Sequence, residues 1–516
     1  MRSLHAVYQL ARADFLERAR TFGYLATIGI TLWLGSLCAP ASSANYVIFS
    51  IDHYRGFYNS AWMGVVFTVL ITTWLSLIGF YLVKSAVTRD RSTRVGEIIA
   101  ATSVGKFEYI LGKTLSNFAV LATIVAVLAL DAIAMQLMRG ENRSVDLVAL
   151  LAPIALFALP LMTFISAIAV LFEVLPVLRG GIGNIVYFFL WLFLLSTSDL
   201  GSQLGTKRPV LDAFGMGTLS NGAWEALKRV DPNRRPTEIG LIVGGSHHAA
   251  KLFHYDGMQF GMGVYAQRLS LVVLAFLVVV IAALVFDRFA SASRTRERRE
   301  PALVAGARAT FERISTPILD LLFASSFGSL VLAELRLLLS GASFWWYAVA
   351  GGFWIWTLFA PGAMQSFALG FAWVWAILMW SPMGTRETVN QTEQFVYPTL
   401  RPLRRQFSAL LCAGVLLALA LGSGSMLHAF FAHDPHAIAG VLAGALFIPS
   451  LALACGAASG TTRVFEIVYL MLWYVGPMNA TPLDYTNAAN APAFAVAAAV
   501  LIALAFLARR TRLALA

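Results

Sequence analysis

Residues 147–172 read LVALLAPIALFALPLMTFISAIAVLF, without one charged side chain. At about 1.5 Å of rise per residue this run makes a helix longer than the ~30 Å hydrocarbon layer of a bilayer. The whole chain has the same character. Over 516 residues, 59% are hydrophobic and 13% charged, about half the charged share of a soluble protein. The mean hydropathy is +0.73. A chain this apolar cannot cover its surface with polar groups, so much of that surface faces lipid.

Working outward from 147–172, runs of comparable character lie at 23–40, 61–83, 114–137, 183–198, 266–286, 343–360, 365–380, 408–427, 437–457, 464–477 and 493–508. The sequence therefore predicts an all-α polytopic membrane protein of about 12 transmembrane helices. The first run is read as a retained span, not a cleaved signal. Leu37 is too large for the residue before a lipoprotein cysteine at Cys38, and Asp14 and Glu17 lie upstream.

Lys/Arg placement sets the expected orientation. Arg12, Arg18 and Arg20, then Lys84, Arg89, Arg91, Arg94, Lys106 and Lys113, then Arg294 to Arg299, Arg401 to Arg405 and Arg509 to Arg512 fall on one side. The opposite short loops hold Arg55, Arg139 and Arg143. The positive-inside rule makes the first set cytoplasmic, with both termini, in the inner (cytoplasmic) membrane. The net charge of +11 is thus a topology signal, and no nucleic-acid partner is expected. Cys38, Cys412 and Cys455 sit far apart in apolar surroundings and offer neither a disulfide framework nor metal-ligand spacing.

The two halves match each other. IVYFFLW at 185–191 corresponds to IVYLMLW at 467–473, and ALF at 155–157, before Pro160, to ALF at 445–447, before Pro449. Leu10-Ala11 precedes Thr21-Phe22 at the spacing by which Leu332-Ala333 precedes Ser343-Phe344. The shared order implies two parallel six-helix repeats, the same way up. The first permease-like domain is expected over 1–290 with an external loop at 199–264, a charged linker over 291–325, and the second domain over 326–516.

Two features recur once per half on the basic side. The first is an amphipathic segment before the first span. In 4–22, Leu4, Val7, Tyr8, Ala11, Phe15 and Phe22 recur at helical steps with Arg12, Asp14, Glu17 and Arg18 between them, the pattern of an interfacial helix. Its counterpart is Leu330 to Leu339. The second is a loop of about thirty residues after the second span. Residues 84–113 read KSAVTRDRSTRVGEIIAATSVGKFEYILGK, and 384–409 read GTRETVNQTEQFVYPTLRPLRRQFSA. Glu97 aligns with Glu393 without gaps. A short helix with a carboxylate and an apolar face suits a groove of a soluble partner. The docking residues are expected to be Glu97, Ile98, Ile99 and Thr102 in the first half, and Glu393, Phe395, Tyr397 and Pro398 in the second.

The glutamate, the short apolar run, the Thr-Ser or Pro-Thr break and the run Tyr109 to Lys113 resemble the coupling-helix region of type-2 ABC exporter permeases. The resemblance covers nearly the whole chain, as a tandem fusion of two six-span domains with interfacial and coupling helices. It implies the membrane subunit of an ATP-driven exporter, not itself an enzyme, working with separate ABC ATPase subunits, two copies, that hold the ATP-Mg. The second half departs by lacking the Leu-Gly-Lys run and the long loop between its last two spans. Gly112-Lys113-Thr114 mimics the end of a phosphate-binding loop, but Phe107 stands where that pattern needs glycine, so no cofactor is expected on this chain.

Asp131, inside the third span, is a pathway candidate because an intramembrane carboxylate is costly unless used. Trp354, Trp356 and Trp373 lie deep enough to line a path for a bulky apolar substrate whose identity the sequence does not reveal. Trp345, Trp346 and Trp380 read as an interfacial aromatic belt. Pro160 and Pro449 are candidate hinges. His247, His248 and His254 in the external loop lack metal-site spacing, so no metal is expected. A proton-coupled transporter of the major facilitator type is the alternative, on Asp90-Arg91 with Arg94 after the second span. Against it, Ala86 replaces that motif's leading glycine and paired carboxylates in the spans are missing. A membrane-embedded enzyme is the third reading, without any clustered catalytic pair to support it.

Overall fold

The computed structural model describes residues 2–20, 22–40, 46–51, 54–203, 212–232, 239–244, 251–289, 325–340, 342, 344–390, 392, 405–478 and 482–515. The chain divides into two compact units, Met1–Thr295 and Arg296–Ala516. Residues 291–324 of the expected linker lie outside the described residues.

In the first unit α1 (Arg2–Ala19) and α2 (Phe22–Cys38) precede two strands, β1 (Tyr46–Ile51) and β2 (Tyr54–Gly56). Next come α3 (Ser60–Leu70), a π-helical turn (Ile71–Leu75) and α4 (Ser76–Val83), then the short α5 (Ala86–Ser92) and α6 (Val95–Ala100). The long α7 (Lys106–Arg139), α8 (Leu147–Val174) and α9 (Gly181–Gln203) follow, then α10 (Met216–Lys228), β3 (Ile239–Gly244), β4 (Lys251–Phe253) and α11 (Met262–Val285). Asn59 and Asp146 start α3 and α8 by accepting amide hydrogens of the first turn, satisfying donors a helix leaves orphaned. α1 and α2 lie along α7, and the most extensive packing joins α8 to α11.

The second unit comprises α12 (Ser326–Leu339), α13 (Phe344–Phe359), α14 (Gln365–Trp375), α15 (Ile377–Trp380), α16 (Arg386–Val389), α17 (Arg405–Phe431), α18 (Pro435–Ser459), α19 (Thr462–Val475) and α20 (Ala491–Leu515). Here α12 and α13 lie along α17, and the most extensive packing joins α18 to α20. Small residues let these helices approach closely. Gly444 faces the ring of Trp373, and Gly424 faces Thr357 and the carbonyl of Trp354.

The molecule is nearly all-α. All twelve apolar runs fall on helical segments. Among the described residues seven helices are long and apolar enough to cross a bilayer: Ser60–Ser92, Lys106–Arg139, Leu147–Val174, Met262–Val285, Arg405–Phe431, Pro435–Ser459 and Ala488–Arg512. Others, such as α13 with 16 residues and α19 with 14, are shorter.

The all-α expectation needs one correction. A four-stranded sheet, in the order β3-β1-β2-β4, joins the 39–59 loop to the 199–264 loop. β1 runs antiparallel to β2 and β3, with Phe49 opposite Leu241, and β2 runs parallel to β4. Phe49 and Ile51 of β1 are buried, and the Trp62 ring packs against Phe49 and Phe253. The strands are three to six residues long, too short to register among span-length runs.

The matched motifs have a packing role. The π-helical turn frees backbone carbonyls that lipid could not satisfy. Trp191 donates its indole N–H to the carbonyl of Thr73 at 3.1 Å, and Tyr187 donates its hydroxyl to that of Ser76 at 2.7 Å. In the second unit the helix is interrupted at Ala376, between α14 and α15. There Trp473 packs on Phe371 and Tyr469 on Trp380.

Candidate functional site: a short helix on an ionic anchor

Glu173 at the end of α8 is buried, and its carboxylate accepts the amide hydrogens of Ala86, Val87 and Thr88 at 3.0, 2.8 and 2.7 Å. It caps α5 from another helix, because Ser85 supplies no capping bond. Three charge-assisted bonds offset the cost of burying the carboxylate. α5 then sends consecutive side chains to three neighbours. Arg89 meets Asp14 at 2.6 Å and Glu17 at 3.1 Å. Asp90 meets Lys113 at 2.8 Å and accepts the Tyr109 hydroxyl at 2.7 Å. Arg91 reaches Asp287 at 3.3 Å.

Asp14 is the centre of this network. It contacts Arg18 at 2.9 Å, Lys113 at 3.0 Å and the Ser116 hydroxyl at 2.6 Å, in addition to Arg89. Burial works against its charge, but Arg18, Lys113 and the Ser116 hydroxyl outweigh that and hold the carboxyl below its ordinary value. Val7, Asp14 and Arg18 are buried, whereas Leu4 and Tyr8 are exposed. α1 docks on α7 through Asp14 and Arg18, which meet Lys113, Ser116 and Asn117, and through Leu10, which lies against Gly112.

Beyond α5 the chain turns through Arg94 in the left-handed region, φ 60°, and enters α6. Gly96 lies under the Phe289 ring, which a Cβ would approach to 2.6 Å. Phe289 is held edge-on against Tyr109 and Phe286, and Arg288 donates to the carbonyl of Thr102 at 2.6 Å. α6 is thus clamped at its first turn and just past its end by the segment that follows α11. Its other face is open: Glu97 is exposed, Ile98 is 68% exposed and Ile99 is half-buried. Thr102 is exposed and turns its hydroxyl back onto the Ile99 carbonyl at 2.7 Å. The structure therefore brings Glu97, Ile98, Ile99 and Thr102 together on one braced projection. Glu393, Phe395, Tyr397 and Pro398 lie outside the described residues.

The segment leading to that second loop is anchored more sparsely. Arg386 meets Glu334 of α12 at 3.2 Å, and Glu387 meets Arg509 at 3.0 Å. Arg512 reaches the Thr388 hydroxyl at 3.0 Å. Burial raises the Glu334 carboxyl, and nearby Glu387 adds to the rise against the pull of Arg386.

The remaining candidates are dispersed. Asp131 is buried against Gly35 of α2. Trp354, Trp356 and Trp373 belong to the second unit. Trp354 donates to the Ser423 hydroxyl at 2.7 Å, Trp373 is fully buried with its N–H on the Ala418 carbonyl at 2.9 Å, and Trp356 packs on Phe367 and Phe371. α8 and α18 run through Pro160 and Pro449 as continuous helices. His254 pairs with Asp256 at 2.9 Å, and among the described residues no group of three potential ligands forms a metal site. His247 and His248 lie outside the described residues.

The sequence reading missed Asp14, Asp90, Lys113, Tyr109 and Glu173 as a unit. The one available signal was Val7, Asp14 and Arg18 at seven- and four-residue steps, a single helical face carrying charge. No model of a known protein family matches the chain, and no curated protein matches it either.

Proposed function

We propose that this chain is the membrane-spanning permease subunit of an ATP-driven ABC transporter, working as an exporter. Separate nucleotide-binding subunits, two copies, supply the ATP-Mg site and dock on α6 and on its counterpart around Glu393. The chain crosses the inner membrane twelve times as two six-helix repeats, with both termini cytoplasmic. The observation that carries this reading is α6 itself: a six-residue helix, exposed on its carboxylate and isoleucine side, yet braced through Phe289, Arg288 and the Asp14 network to four helices of its unit. An element that only joined two spans would need no such bracing. A lever needs a rigid mount and a free face, because a motion applied at the tip must reach the helices behind it.

The repeat is supported by matched packing. In each unit the helix before the first span and the first span itself lie on the third, the fourth packs most extensively on the last, and the second is interrupted where the Tyr-x-x-x-Trp motif meets it. Asp90, offered by the major-facilitator alternative as part of a loop motif, is engaged by Lys113 and Tyr109 in the anchor.

Charge reversal at Glu97 and Glu393 together tests the proposal. The variant is expected to fold and insert normally while ATP hydrolysis no longer drives transport. Unchanged transport in the double variant would overturn it.

A further inference from the structure

At the end of the first unit opposite the basic loop, α10, residues 254–261 and the start of α11 enclose a cleft of about 900 Å³. That is within the ~300–1,000 Å³ of small-ligand sites. One wall is a single face of α10 and its C-cap, carrying Thr218, Asn221, Glu225 and Arg229 at steps of three, four and four. The other wall is the segment Asp256–Gly261, which belongs to no helix or strand. It is fixed from behind, where Asn59 donates to the carbonyl of Tyr255 at 2.7 Å. Among the described residues, the amide hydrogens of Asp256, Met258 and Gln259 meet no protein acceptor. Added Cβ atoms at Gly257 and Gly261 would meet open space or ordinary contact, so another backbone can come close.

We propose that this cleft binds an extended peptide of about five residues. The unpaired amides of the glycine-containing wall, which turns at Gly257 with φ 93°, donate to the peptide's carbonyls, while its side chains on alternate positions point at the α10 face. The dimensions agree. From Thr218 to Arg229 α10 rises about 16 Å, which about five extended residues span. Glu225 and Arg229 are one helical step apart, about 6 Å, close to the ~6.6 Å between residues i and i+2 of a strand. The favoured ligand carries a basic side chain, which shares Glu225 with that residue's present partner Lys228 at 2.8 Å, and an acidic one two positions away. No phenylalanine, tyrosine or tryptophan lines the cleft, and its one ring, the His254 imidazole, packs on Phe57 and pairs with Asp256, which leaves little for sugar rings to stack on. The inference stands apart from the transport reading, since the cleft needs no ATPase to be filled.

The test uses the full chain in lipid nanodiscs, without other proteins. The probe is a fluorescein-tagged pentapeptide with lysine at its second and glutamate at its fourth position, read by anisotropy. Saturable binding is expected, weakened at least tenfold by N-methylation of the peptide backbone and by Asn221→Trp, which fills the cleft. Glu225→Ala, at an exposed position, is expected to weaken binding several-fold and decides the matter should Asn221→Trp disturb folding. Absence of binding to the wild-type chain, or equal affinity for the N-methylated peptide or for the Glu225→Ala chain, would overturn the proposal.

Discussion

Each unit ties the loop after its second apolar segment to the helix that opens the unit, and each does so through a carboxylate. Asp14 faces Arg18, Arg89, Lys113 and a hydroxyl and is held ionised although it is 4% exposed. Glu334, 7% exposed, is pushed above its ordinary value by burial, against the pull of Arg386 at 3.2 Å. Glu387 adds to the rise, and Gln406 and Arg509 oppose it. Similar burial gives opposite results because the number and sign of the neighbours differ. A buried carboxyl stays below its ordinary value when close counter-charges and hydrogen bonds outweigh its desolvation, as at Asp14, and rises when they do not and a like charge lies nearby, as at Glu334.

The largest effect that could break this contrast comes from Asp14→Asn. Leaving the surrounding cations buried without their counter-charge should destabilise the protein by about 3–5 kcal/mol, the cost of breaking a buried ion pair from one side. Thermal unfolding in detergent reads this directly. A loss no larger than that of a surface substitution would mean that the network is solvated and holds nothing.

Next is the Gly96→Ala variant, which pushes a methyl group into the Phe289 ring and should cost about 1–3 kcal/mol as overpacking. Phe289→Leu in the same chain should recover part of that, so the two changes should not add. Strict additivity would separate α6 from the segment after α11.

Glu334→Gln should change stability at neutral pH by no more than about 1 kcal/mol, because the amide still accepts from Arg386. Its pH dependence is the sharper readout. The folded carboxyl of Glu334 lies above its unfolded value of 4.5, so the stability it confers is full below 4.5 and is lost as pH rises through the folded value. Asp14 lies below its unfolded value of 3.8, so its contribution is full above 3.8 and is lost as pH falls through the folded value. The Gln variant should therefore gain on the wild-type chain as pH rises above 4.5. A Gln variant that instead loses ground to the wild-type chain over that range would reverse the assignment of the two carboxylates.

The smallest effect on stability belongs to Glu97→Lys. An exposed side chain off the anchor should shift unfolding by no more than about 0.5 kcal/mol. A larger loss would place Glu97 in the scaffold and remove the contrast between a braced mount and a free face.

How much of this was legible depended on the range of the forces involved. The helices were readable because an apolar run such as 147–172 needs lipid or other helices whatever surrounds it. The pairing of Tyr187 and Trp191 with Tyr469 and Trp473 was visible as a repeated string. That these side chains meet an irregular helix was not, since nothing in ITTWL at 71–75 marks a π-helical turn. The anchor was hidden because its partners are distant in sequence. Asp14 and Lys113 are separated by 99 residues, and each alone reads as an ordinary charge beside a span. The sheet was hidden for the same reason, with β1 pairing β3 across the length of eight helices. Glu97 and Ile98 were legible because an apolar residue beside a carboxylate between two charged stretches has no core to enter.

The central claim is that α6 presents its free face to an ATP-hydrolysing partner. A photo-crosslinking residue in place of Ile98, activated in native membranes and followed by mass spectrometry of the adduct, tests it most directly. Crosslinking to a nucleotide-binding ATPase subunit, abolished when Glu97 is reversed in charge, is the predicted result. Adducts only to lipid or to the chain itself would contradict it.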